Sequence, residues 1–176
     1  MLKKFGMESY NPAHTPGTPT KLVDDAPEET FLEPSEKTKY QAMVGSLIFL
    51  AQSTRFNIAL SVSQVARHMS SPSRQTLVAV KRIFRYLKGK PDLPLTYSTS
   101  NEDLVFKGFC DPSYGNTELQ GIMRSTKGTL FFLSNGLVQF TPSLQRITAT
   151  FNCPFEMRQI RKVSLQSHTR AWMVIY

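Results

Sequence analysis

An α+β fold, helices first and strands second, is what this 176-residue chain predicts. Three observations carry the prediction. Apolar residues recur at helical spacing in three successive stretches between residues 40 and 87. From residue 93 onward the pattern becomes short aromatic and aliphatic runs of strand character. Asn135-Gly136 then separates two of those runs, a strong hairpin signal. Helices followed by strands, rather than alternating with them, make an α+β arrangement.

Residues 1–39 read as a Pro-rich connector. Pro12, Pro16, Pro19, Pro27 and Pro34 punctuate them, with acids and threonines between. The exception is a short helix end over 2–7, capped by Gly6. Residues 40–90 form a helical segment. Over 40–51, Met43, Val44, Leu47, Ile48 and Ala51 share one face. Over 57–69, Ile58, Val62, Val65, Ala66 and Met69 do the same, with Asn57 as N-cap. A third helix spans about 72–87. Ser71 caps it, Pro72 suits its first position, and Gly89 with Pro91 stops it. Leu77, Val80, Phe84 and Leu87 are its buried stripe.

Residues 91–160 supply the strands, at 93–98, 104–110, 128–134 and 137–140, and then a helix beginning near 152–154. Proline is tolerated in a first turn, so Pro154 leaves Glu156 near that helix's start. Residues 161–176 are an unassigned basic tail. The stretch 104–111 puts Leu104, Phe106 and Cys110 on one face and Val105, Lys107 and Phe109 on the other. It delivers Asp111 at its end. A carboxylate there either holds a hard cation such as Mg²⁺ or forms a turn or cap.

The formal net charge is +8, from 21 Lys+Arg against 13 Asp+Glu. Residues 37–100 hold ten Lys+Arg and one Asp, so the basic character sits mid-chain. An excess of this kind points to a polyanionic partner, nucleic acid before an acidic membrane surface. Within it, Arg74, Lys81, Arg85 and Lys88 fall within about 60° of one another on a helix. Such a stripe either tracks a phosphate backbone or is an ordinary solvated face. Cys110 and Cys153 make no disulfide framework, and His14, His68 and His168 have no zinc spacing. No signal peptide or membrane-spanning run is evident, so the expected location is cytoplasmic or nuclear with no membrane partner.

Five blocks carry a resemblance: LKKFGMESYNPAHTP, YQAMVGSLIFLAQSTRFNIALSVSQVARHMSSP, AVKRIFRYLKGK, LVFKGFCDPSYGN and RSTKGTLFFLSNGLVQFTPSLQ. In this order and spacing, residues 2–145 resemble the Pol polyprotein of copia-type LTR retrotransposons. The matching region covers the end of the reverse transcriptase (thumb and connection) and the N-terminal half of the RNase H domain. The resemblance implies a partial RNase H-like mixed sheet of three antiparallel strands and a helix. It places Asp111 at the first metal-binding aspartate and Glu156 at the second carboxylate, so both become candidate catalytic and metal-binding residues. It implies Mg²⁺ or Mn²⁺ as cofactor, an RNA–DNA hybrid or other nucleic acid as partner, and the rest of a Pol polyprotein beside it. Two-metal hydrolysis of the RNA strand would need clustered carboxylates and no protein nucleophile.

The sequence departs from that pattern in several places. The polymerase's Tyr-x-Asp-Asp motif is absent. Where the family has Ser-Ser-Thr-Glu-Ala-Glu-Tyr, residues 151–157 read FNCPFEM, with Pro154 in place of the first acid. Residues 157–176 contain no Asp or Glu, and Phe56-Asn57 replaces the usual Pro-Asp after Thr54-Arg55. Two carboxylates bind Mg²⁺ weakly. Three readings follow: a hybrid ribonuclease that is inactive alone, a basic nucleic-acid-binding module without catalysis, and a decayed, non-functional relic.

Overall fold

The computed structural model describes residues 1–17, 22, 31–97, 106–112, 117–119, 122–124, 126–133 and 136–144. Within them a helical body precedes a small antiparallel sheet, the predicted α+β order.

Helix α1, Leu2–Phe5, ends at Gly6, which takes the left-handed conformation (φ 67°) that closes a helix. Helix α2 runs over Pro34–Ser53, starting six residues earlier than the sequence pattern indicated. Pro34 occupies its first turn, where a missing N–H costs nothing. Its inner face is Met43, Val44, Leu47 and Ala51, as the apolar spacing required, with Tyr40 added and Ile48 only half-buried. A 3₁₀ turn at Phe56–Ile58 leads into α3, Ala59–Ala66. Asn57 is therefore inside the turn and does not cap α3.

Helix α4 spans Arg74–Gly89. Its cap is Ser73, not Ser71. The Ser73 hydroxyl accepts from the Thr76 N–H and the Thr76 hydroxyl accepts from the Ser73 N–H. This reciprocal pair satisfies two amides that the first turn would otherwise leave unpaired. The helix stops at Gly89, as expected.

The core lies between α2, α3 and α4. Tyr40, Val44, Leu47, Ile58, Val80 and Phe84 are inaccessible to solvent. Phe5 meets Phe84 edge-to-face at 5.4 Å, so α1 belongs to this core although it lies in the Pro-rich stretch. Leu32 is also buried, and its N–H donates to the Pro72 carbonyl.

Residues 91–97 contain no strand, contrary to the expectation for 93–98. Pro94 carries no N–H for a ladder, and Tyr97 has another task. Its hydroxyl donates to the Leu137 carbonyl at 2.8 Å. A Cβ on Gly136 would come within 2.3 Å of the Tyr97 ring. Gly136 is thus required because an aromatic ring lies across it.

Strands β1 (Phe106–Pro112), β4 (Thr126–Leu133) and β5 (Gly136–Leu144) form an open antiparallel sheet in the order β1-β4-β5. Strands β4 and β5 pair as the hairpin that Asn135-Gly136 predicted, with Gly136 already in β5, opposite Leu133. A register shift at Phe131/Phe132 bulges the pair. A short ribbon, β2 (Thr117–Leu119) with β3 (Ile122–Arg124), was not anticipated. Strand β5 lies along α3 and places Phe140 against the helical core. A cleft of about 380 Å³ remains between β5 and the helices, lined by Ile48, Phe56 and Val62 opposite Val138 and Phe140. The expected helix near 152–154 and the tail 161–176 lie outside the described residues.

Candidate nucleic-acid interface

Packing fixes the rotation of α4. Thr76, Ala79, Val80, Ile83, Phe84 and Leu87 face the core. Arg74, Lys81, Arg85 and Lys88 consequently lie on the outward side, as the 3.6-residue period demands. Arg74 is exposed, and the other three are half-buried.

For Arg85 and Lys88 the half-burial has a specific cause. Residues 8–15 lie as a strap across this face of α4. The Arg85 Nε–H donates to the Asn11 carbonyl at 2.6 Å. The Lys88 ammonium donates to the carbonyls of Glu8 and Tyr10, the latter at 2.9 Å. Arg82, not selected from the sequence, donates through Nη2 to the Thr15 hydroxyl at 3.0 Å. The Ala13 N–H returns a bond to the Arg85 carbonyl at 3.2 Å. The structure therefore brings Arg85 and Lys88 together under the strap. It leaves Arg74 and Lys81 with no polar partner among the described residues. All these acceptors are neutral, so they compete for the cations less strongly than charged phosphate oxygens do.

Arg55 is a second basic residue the sequence did not flag. It is only 7% exposed. Its Nη1 donates to the Lys90 carbonyl at 2.8 Å, and its Nε to the Asn57 side-chain oxygen at 3.4 Å. The Asn57 amide donates in turn to the Tyr86 hydroxyl at 2.6 Å. This cluster ties the α2–α3 turn to the end of α4. The available signal was Asn57 standing where the resemblance expects an aspartate. A carboxylate there would offset the buried guanidinium charge from an exposed position. Asn57→Asp should stabilise the protein by roughly 0.5–1 kcal/mol, and salt should weaken the gain. Urea unfolding at low and high salt checks this; an unchanged or lowered midpoint would refute the pairing.

Asp111 is the penultimate residue of β1, opposite Gly128 of β4. The strand continues one residue to Pro112, opposite Lys127. Glu156 lies outside the described residues. Among the described residues no group of three or more His, Cys, Asp or Glu could hold a metal ion. Cys110, beside Asp111, is a half-buried free thiol. No helix among the described residues is long and apolar enough to cross a membrane.

Comparison with known proteins bears on what this arrangement serves. The chain is 31% identical over 153 residues to the retrovirus-related Pol polyprotein from transposon TNT 1-94 of Nicotiana tabacum. That match covers 85% of this chain and 11% of the polyprotein. It is 26% identical over 164 residues to the Pol polyprotein from transposon RE1 of Arabidopsis thaliana, covering 93% of this chain and 11% of that one. The chain is similar to one segment of transposon Pol polyproteins. It spans about a tenth of their length. An uncharacterized mitochondrial protein of Arabidopsis thaliana is 28% identical over 160 residues, 91% of this chain and 63% of that protein. No known family model matches the chain, and no solved structure matches it.

Proposed function

We propose that the chain is the reverse transcriptase connection and the opening strands of the RNase H region of a copia-type Pol polyprotein. In this reading its own contribution is to hold the backbone of an RNA–DNA hybrid. The observation that carries the proposal is the cationic outer face of α4, held in orientation by the core on its other side. The local charge supports it, with ten Lys+Arg against one acid over residues 37–100. The similarity to Pol segments supports the polyprotein context.

A helix face of this kind contacts phosphate and reads no bases, so binding is indifferent to sequence and sensitive to salt. Each phosphate neutralised contributes about −0.9 to the slope of log K against log salt. Arg74 and Lys81 make no bond to the strap and should alone give a slope of about −2. The combined change Arg74→Ala with Lys81→Ala should make the measured slope shallower by about 2. Anisotropy with a labelled RNA–DNA hybrid at several salt concentrations tests this. Affinity that does not change with salt, or that the double variant leaves intact, would reject it.

A second reading, hybrid cleavage through Asp111 and Glu156 with Mg²⁺ or Mn²⁺, is favoured by the position of Asp111 at the end of β1. In this reading Asp111 and Glu156 would hold the ion, which would supply activated water for hydrolysis of the RNA strand. In the same samples, cleavage that Asp111→Asn abolishes would support this reading, and cleavage that survives the change would remove Asp111 from it.

A further inference from the structure

The strap is held differently from the rest of the helical body. It follows Met7, which is buried in the core, and runs to Gly17, which is half-buried and where an added Cβ would lie 3.6 Å from the Ser61 hydroxyl of α3. Between those ends every residue from 8 to 15 is exposed except Ala13, which is half-buried. The strap adds no side chain to the core. Its hold on α4 is polar and runs largely through its own main chain. The carbonyls of Glu8, Tyr10 and Asn11 accept from Lys88 and Arg85, and the Ala13 N–H donates to Arg85. Segments with few buried apolar contacts open locally without global unfolding. Charged phosphate oxygens are stronger acceptors for guanidinium and ammonium groups than neutral carbonyls.

We propose that residues 8–15 are a displaceable cover on the basic face of α4, and that a nucleic-acid backbone takes Arg82, Arg85 and Lys88 by lifting it. The inference rests on the binding reading above. The cover sets the apparent affinity: the competent, uncovered form is a minor population, and the observed dissociation constant is raised by the inverse of that fraction. It also explains why the strap engages the cations through backbone carbonyls. A carboxylate in that place would be a much stronger competitor for phosphate-binding groups.

Gly89 provides a way to lift the strap without touching a cation. A Cβ there would meet the Pro12 Cβ at 3.0 Å and the Ala13 carbonyl at 3.5 Å. Gly89 does not have a left-handed backbone, so α4 accepts a larger residue at its last position. Gly89→Leu should push Pro12 and Ala13 off the helix. Three readouts then decide. The wild-type slope of log K against log salt should be near −4.5, for five cations, rather than near −2 for Arg74 and Lys81 alone. Gly89→Leu should bind the hybrid about tenfold more tightly with the same slope. Saturating hybrid should release the Ala13 amide of the wild-type protein to hydrogen exchange. The last readout needs no variant, so it stands even if Gly89→Leu folds poorly. A wild-type slope near −2 with Ala13 still protected in the complex would overturn the cover and leave the binding reading intact. Absence of salt-dependent binding by either protein would overturn both.

Discussion

Phe84→Ala should lower the stability of the protein by about 3–5 kcal/mol, the largest effect expected of any single substitution here. Phe84 is inaccessible to solvent on the core side of α4. Its removal loses the transfer energy of a buried ring and leaves a cavity that rigid helices cannot fully close. It also loses the edge-to-face contact with Phe5 at 5.4 Å, which fixes α1 to the core. The strap begins just after α1, so the change should loosen both ends of one mechanism: the core that orients the basic face, and the segment that covers it. Urea unfolding reads the loss as a lower midpoint with an unchanged slope. Phe49→Ala is the control. Phe49 is 73% exposed on α2, and its removal should shift stability by no more than about 0.5 kcal/mol. Equal effects at the two positions would mean that α4 is not seated as described.

The contrast between Phe84 and Phe49 also indicates what can be read from sequence. Helical periodicity identified Met43, Val44, Leu47 and Ala51 on α2, and Val80, Phe84 and Leu87 on α4, because burying one stripe leaves a period that survives in the residue types. Helix ends were less legible. Ser71 and Ser73 both flank Pro72 and both are good caps; only the reciprocal bonds with Thr76 choose Ser73. Asn57 has a capping side chain but spends it on Arg55 and Tyr86. The ribbon β2–β3 was missed because three residues per strand carry no readable alternation.

The strap was illegible for a deeper reason. Its bonds to Arg85 and Lys88 use backbone carbonyls, which every residue has, so the composition of residues 8–15 gives no hint of them. From sequence, all four cations of the stripe looked equally available. In the structure Arg85 and Lys88 are engaged by the strap while Arg74 and Lys81 are not, and Arg82 joins the engaged set. Asp111 falls inside β1, one residue before its end rather than past it, and Glu156 lies outside the described residues.

Alkaline unfolding should single out Tyr40. Its side chain is inaccessible to solvent, and its hydroxyl donates to the Val65 carbonyl at 2.6 Å. Burial pushes the phenol up to about 12 from an ordinary 10, with the Thr76 side chain acting in the opposite direction. In the unfolded chain the phenol loses its proton near pH 10. Between pH 10 and 12 the native state therefore holds more protons than the unfolded state, and unfolding becomes easier as pH rises. The stabilisation is complete below pH 10 and is lost through the folded value near 12. Two pH units correspond to roughly 2–3 kcal/mol, a large share of a typical domain's stability. Tyr40→Phe isolates the effect from every other group that titrates there. At pH 8 the variant should be less stable by about 1–2 kcal/mol, because the Val65 carbonyl loses a buried donor. Its stability lacks this alkaline fall, so the two curves should converge above pH 10 and cross before 12. Curves that stay parallel to pH 12 would mean the phenol is hydrated in the native state. That result would move Tyr40 out of the contact between α2 and α3 and, with it, the packing that holds α4 and its cations in place.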